Sequence, residues 1–224
     1  MARNDETMLN ILFTKVDGNP VIDEETSEYY IPFWKESDYF ETYETYINFI
    51  KQVESMVRKH SFYKKYIAYL TEVIGLKTCQ ILSNVEAEKG VTIEMHHGPI
   101  LTLFDTVQIV LNSLLARECK NITTFKVADI VLQEHQLNNV RVVLVSKTAH
   151  QQIHADNIIL NYHQGFGDTN AFIAKYRDGL DSIMINNINN YIEWSKNNDS
   201  FDNNVFQISE SIKSWGHNQF ILED

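Results

Sequence analysis

The placement of four histidines constrains this chain more than any other feature. Ile93-Glu94-Met95-His96-His97-Gly98-Pro99 is a β-type run that ends in adjacent histidines. Ser146-Lys147-Thr148-Ala149-His150-Gln151-Gln152-Ile153-His154 follows some fifty residues later and holds two more, four apart. Half of the eight histidines sit in these two places. Neighbouring residues on a strand point to opposite faces, so His96 and His97 can serve different tasks. Residues four apart on a helix share a face, with Cβ atoms about 5–6 Å apart, so His150 and His154 can grip one ion. Three imidazoles around a cation, with a fourth left free as a base, make a hydrolytic site.

The elements around these histidines follow from periodicity. Apolar residues at three- and four-residue steps predict helices over 38–59, on Tyr39, Tyr43, Tyr46, Phe49, Ile50, Val53 and Val57, and over 61–75, with Gly75 ending the second. This aromatic stripe belongs to a core rather than to a nucleobase platform. Gly90 opens a strand over 91–96. Pro99 starts a helix of roughly 100–117, and a shorter helix spans 126–135 after Thr123-Thr124. Val140-Arg141-Val142-Val143-Leu144-Val145 is the strongest strand by β-branched content, and it runs into a helix over 147–156. Asp168 caps a helix running through Leu180, a further helix spans 181–196, and Val205–Trp215 forms a last short one. Residues 1–34 read as an irregular or weakly β arm with an aromatic end, Tyr29-Tyr30-Ile31-Pro32-Phe33-Trp34. There are no internal repeats and no linker long enough to part domains.

Charge limits the partners. The formal net charge is −11, and an acidic protein lacks the general field that steers nucleic acid in. The surplus is uneven: residues 1–60 carry 12 acidic and 6 basic side chains, whereas residues 91–154 carry 5 of each. The histidine-bearing stretch is therefore locally neutral. The best positive patch is Arg58-Lys59-His60 with Lys64-Lys65, read as a solvated face. Two cysteines, Cys79 and Cys119, fit a reducing compartment. No signal peptide and no apolar run of membrane-spanning length is expected, which points to a cytoplasmic address or to a virus replicating inside a cell. Asparagine-rich usage such as Asn186-Asn187-Ile188-Asn189-Asn190 suits an AT-rich genome of the bacteriophage kind.

A strand with His-His, a connection, a second strand, then a helix with His-x-x-x-His resembles the ββα-metal finger of HNH endonucleases. The resemblance covers residues 76–156 and rests on Glu94-Met95-His96-His97 with Pro99, then on Leu144 to His154. It implies an α+β fold: a ββα-metal core at 76–156, with a helical loop inserted between its strands, wrapped by an N-terminal arm and helices (1–75) and by C-terminal helices (157–224). It implies that His96, His150 and His154 bind one divalent metal ion (Mg²⁺, Mn²⁺, Ni²⁺ or Zn²⁺), that His97 is the general base, and that DNA is the substrate. A neutral imidazole with a pKa near 6.5 suits that task at neutral pH, and a divalent ion stabilises charge on a phosphate.

The chain also departs from that family. Only Cys79 stands where paired zinc-ribbon cysteines are usual, and Ser146 and Ala149 occupy the second pair's places, so a structural zinc site is expected to be absent. The middle Asn of the name falls near Arg141, with Asn139 two residues early. Two functional readings follow. One is a metal-dependent DNA endonuclease. The other is an inactive HNH-like scaffold serving as a phage structural or interaction subunit, docking a protein partner through its aromatic N-terminal arm. Two lesser expectations are that the loop His163-Gln164-Gly165-Phe166-Gly167-Asp168 is a plain connection able at most to hold an anion at a helix N-terminus, and that Glu134 and His135 lie on the surface.

Overall fold

The computed structural model describes residues 34–82, 85 and 90–197. The aromatic arm up to Phe33 and the helix expected over Val205–Trp215 lie outside the described residues. The order is α1 (Tyr43–Lys59), α2 (Ser61–Ala68), β1 (Ile93–His97), α3 (Leu103–Ala116), α4 (Thr124–Gln136), β2 (Val142–Ser146), α5 (Lys147–His154), α6 (Thr169–Lys175) and α7 (Ser182–Asn197). The fold is α+β and mostly helical: seven α-helices with one two-stranded antiparallel sheet among the described residues. None of these helices is long and apolar enough to cross a membrane.

Local chemistry explains most of the boundaries. The Thr42 side chain accepts from the Thr45 amide and starts α1, whose buried stripe is Phe49, Ile50, Val53 and Val57. His60 is the hinge between α1 and α2: its backbone is extended, and its Nδ1 accepts from the Phe62 amide at 3.2 Å. Pro99 does not open α3. The helix begins at Leu103 because Thr102 and Asp105 form a reciprocal capping box, which satisfies two orphan amides at once. Beyond Ala68 the expected helix widens into a π-turn over Tyr69–Val73 rather than continuing regularly.

The sheet positions the site. β1 and β2 pair with Glu94 opposite Val145, Met95 opposite Leu144, His96 opposite Val143 and His97 opposite Val142. Every residue of β2 is buried, as expected of a β-branched run covered on both faces. Val142 and Leu144 join Met95 in the main core with α1 to α4, Phe166, Phe172 and Tyr176. Val143 and Val145 face the other way, into a smaller cluster with Cys79, Ala149 and Leu160. The far edge of β2 is closed by other segments. Gln80 exchanges bonds with Leu144, its amide donating to the Leu144 carbonyl at 2.9 Å and its Oε1 accepting from the Leu144 amide at 2.5 Å. Val142 and Phe166 exchange both backbone bonds at 2.8 Å. These bonds satisfy groups that an open edge would leave unpaired.

Candidate metal centre

Strand alternation sorts the first histidine pair. Glu94 and His96 lie on the face of β1 that shares Val143 and Val145, the face on which α5 packs. Met95 and His97 lie on the face of Val142 and Leu144, toward the main core. β2 turns directly into α5, because the Ser146 side chain accepts from the Ala149 amide and caps the helix. This abrupt start leaves His150 and His154 one turn apart over β1.

Three of the four histidines converge. One ring nitrogen from each of His96, His150 and His154 lies within 4.8 Å of the others. Ring centroids are 5.1 Å apart for His96 and His150, 5.2 Å for His96 and His154, and 4.7 Å for His150 and His154. The Nε2 atoms of His150 and His154 are 3.0 Å apart. Nitrogens at about 2.0–2.1 Å from a tetrahedral ion stand about 3.3 Å from one another, so the three rings fit a single cation with small adjustment. His96 and His150 are half-buried and His154 is exposed. Burial, followed by the nearby charges of His150, His154 and Arg58, pushes the His96 pKa down to about 4. His96 therefore presents a lone pair at neutral pH, as a metal ligand must.

The fourth histidine is elsewhere. His97 is only 4% exposed, and its ring stacks on Tyr63 of α2 at 5.9 Å and 14°. Its Nε2 lies 3.0 Å from Nε2 of His135 in α4. Burial first, then the charge of His135, pushes its pKa well below the ordinary value. The residue expected to act as general base is thus turned into the core, away from the other three histidines, by the alternation of the strand it sits on.

Two surface expectations are corrected. His135 and Glu134 are both completely buried. Nδ1 of His135 donates to the Val131 carbonyl at 2.7 Å. Glu134 accepts from Lys175 Nζ at 2.5 Å, from the Tyr176 hydroxyl at 2.7 Å and from Asn139 Nδ2 at 2.7 Å, which ties α4 to α6. Their polarity is satisfied inside, and most of the partners come from residues far along the chain. Arg141, near the place of the missing middle Asn, stacks over the Tyr162 ring at 3.9 Å and donates to the Tyr162 and Gly165 carbonyls. It fastens the segment after α5 to the start of β2.

The loop 163–168 borders a cavity of about 270 Å³ with Arg141, Tyr162 and Asn170. The N-terminus of α6 beside it is already capped: the Asp168 carboxylate accepts from the backbone amides of Asn170 and Ala171. The place for an anion is therefore filled by the chain itself. Arg58, Lys59, Lys64 and Lys65 are exposed, as expected of a solvated face.

Sequence reasoning gave no role to Glu94, yet its Oε2 lies 2.6 Å from Nδ1 of His150. The signal was present: Glu94 precedes His96 by two residues, and a period of two puts both on one face.

Comparison with known proteins adds one finding. The profile of the family described as Bacteriophage G278-like virion protein matches residues 3–215. No curated protein and no solved structure matches the chain.

Proposed function

This chain belongs to the bacteriophage G278-like virion protein family, and from that premise we propose that it is a structural or interaction subunit of the phage particle whose His96, His150 and His154 hold one divalent cation. The observation that carries this reading is the divergence of adjacent residues on β1. His96 joins the two helix histidines, while His97 is consumed in the core by His135 and Tyr63. The cluster keeps what is needed to bind an ion, and its expected base is not within reach of a water beside it.

Such an ion would act as a fastening. α5 has only eight residues, too few for stability by helix propensity alone. A cation shared by His96 of β1 and by His150 and His154 of α5 would lock the helix to the sheet. Three imidazoles favour Zn²⁺ or Ni²⁺ over Mg²⁺, which prefers carboxylate and water oxygens. The expected partner is another protein of the particle, with the aromatic N-terminal arm as the docking element.

A second reading, a metal-dependent DNA endonuclease carried with the virion, is favoured by one observation. Three protein ligands among the described residues would leave a fourth position open, as catalytic sites do. A bound cation there would stabilise charge on a phosphate. Proton transfer would have to come from a group other than His97 in its present place.

Calorimetric titration of chelator-stripped protein with ZnCl₂ and NiCl₂ tests the proposal. Wild type should bind one ion, and His96→Ala, His150→Ala and His154→Ala should each abolish binding. At about 100 times Kd the ion should stabilise the protein by about 2.7 kcal/mol. Plasmid incubated with Mg²⁺, Mn²⁺, Ni²⁺ or Zn²⁺ should remain supercoiled. Nicking that His150→Ala removes would install the endonuclease reading, and a wild type indifferent to every metal would dispose of the site.

A further inference from the structure

We propose that Glu94 is the positioning residue of the histidine cluster: its carboxylate holds the proton of His150 on Nδ1, so that the Nε2 lone pair faces His96 and His154. The inference rests on the metal site proposed above and assigns a role within it.

The geometry is specific. Oε2 of Glu94 lies 2.6 Å from Nδ1 of His150, across the gap between β1 and α5. That is the short separation of a charge-assisted hydrogen bond. An ionised carboxylate can only accept, so Nδ1 must carry the hydrogen. In the neutral ring Nε2 is then the lone pair, and it is this atom that stands 3.0 Å from Nε2 of His154. A ring with no partner at Nδ1 is free to place its hydrogen on Nε2, where it blocks coordination. The carboxylate removes that tautomer from the ensemble before any ion arrives.

The same strand therefore supplies two functions at a spacing of two residues. His96 offers a nitrogen to the cluster, and Glu94 orients a nitrogen offered by the helix opposite. Neither side chain can exchange places with its neighbours, because Met95 and His97 face the main core. Glu94 also supplies charge. Three neutral imidazoles leave a divalent cation with its full +2, whereas one carboxylate a single ring away reduces the local sum to +1. The pair is only partly exposed, His150 at 22% and Glu94 at 34% of their side-chain surface. Solvent therefore screens this charge incompletely. Carboxylate–histidine–metal arrangements of this kind usually lose about 10–100-fold in metal affinity when the outer carboxylate is removed.

The rival role is a plain ion pair that pins α5 to β1, and it predicts a loss of stability without a change of tautomer. The test uses full-length protein, wild type, Glu94→Ala and Glu94→Gln, with ZnCl₂ as the probe. Metal affinity is measured by calorimetry. The His150 tautomer is read from the ¹⁵N shifts of histidine-labelled protein in chelator, and the thermal midpoint is recorded in the same buffer. Wild type should show His150 protonated on Nδ1. Glu94→Ala should shift it toward the Nε2-protonated form and weaken Zn²⁺ binding about 10–100-fold, with little change in the metal-free midpoint. Glu94→Gln keeps an acceptor oxygen without the charge, and should retain the tautomer with a smaller loss of affinity. Should Glu94→Ala fail to fold, the Gln variant carries the comparison. Zn²⁺ binding as tight in both variants as in wild type, or an unchanged His150 tautomer in Glu94→Ala, overturns this inference and leaves the metal site standing. Absence of binding by wild type overturns both.

Discussion

The buried pair of His97 and His135 should cost this protein stability in mild acid, and the structure sets the size of the effect. Nδ1 of His135 is committed to the Val131 carbonyl. In the neutral ring its Nε2 is then an acceptor, and the 3.0 Å contact must carry its hydrogen on Nε2 of His97. Each ring is neutral, and a further proton on Nε2 of His135 would set two N–H groups against each other. Burial, only partly offset by the Val131 carbonyl and Glu134, pushes the His135 pKa down to about 4, against an unfolded value near 6.5. The folded pKa lies below the unfolded one, so the unfolded chain takes up the proton first. The stabilisation is fully present above about pH 6.5 and is lost as pH falls toward 4. A move from 6.5 to about 4, at about 1.36 kcal/mol per pH unit, is worth about 3 kcal/mol. That is a large share of the roughly 5–15 kcal/mol available to a domain. The assay is urea unfolding at intervals from about pH 7.5 to about 4, in chelator so that metal occupancy does not contribute. The comparison is His97→Phe/His135→Leu, which removes both titrating partners together and leaves no widowed donor. The stability difference between the two proteins should change in the variant's favour by at least about 3 kcal/mol as pH falls to about 4, because the depressed His97 adds to the effect of His135. Curves that stay parallel across the whole range would refute the reasoning.

Two further substitutions probe the packing that holds the site in place. Gly179→Ala should destabilise by about 1–3 kcal/mol, because its new Cβ would overlap the Ile109 carbonyl oxygen and sit 2.8 Å from the Ser113 nitrogen of α3; a thermal midpoint equal to wild type would mean that the turn after α6 does not press on α3 as described. Gln80→Ala should cost about 2 kcal/mol or more and speed hydrogen exchange at the Leu144 amide. Its loss strips a partner from that amide and from the Gln164 carbonyl, both buried. Unchanged exchange at Leu144 would count against Gln80 as the cover of β2.

Periodicity carried the reading wherever an element buries one face against something large. Phe49, Ile50, Val53 and Val57 mark α1, and Leu103, Val107, Val110, Leu111 and Leu114 mark α3. The β-branched run placed β2 within two residues of its observed span. Where boundaries moved, a side-chain hydrogen bond or a close contact moved them. Thr102 and Asp105 delay α3 past Pro99. α6 stops at Lys175, short of the expected Leu180, and the short 3-10 turn Arg177–Gly179 that follows lies against α3. The approach of His96, His150 and His154 was legible because strand and helix periods fix which way each ring points. The fate of His97 was not, because its partner His135 lies thirty-eight residues away on a helix whose polar residues read as surface. Gln80 escaped notice for the same reason: a lone glutamine in a connection carries no period, and its two partners are set only when the sheet forms.

The segment between the strands explains why one histidine face stays open and the other does not. A bare hairpin with a helix on one side leaves its opposite face to water, and a histidine there is free to act on solvent. Here residues 98–141 intervene between β1 and β2 and contain α3 and α4. α4 lays His135 against His97, and α2 lays Tyr63 over the same ring. The face bearing Met95 and His97 has thereby become the wall of the main core. On the other face the eight-residue α5, packed there with Cys79 and Leu160, brings His150 and His154 with it and leaves His154 exposed. A base needs contact with water, and a ligand needs only convergence with its fellows. Burying one face of β1 therefore takes His97 out of contact with water while leaving His96, His150 and His154 converged on the other.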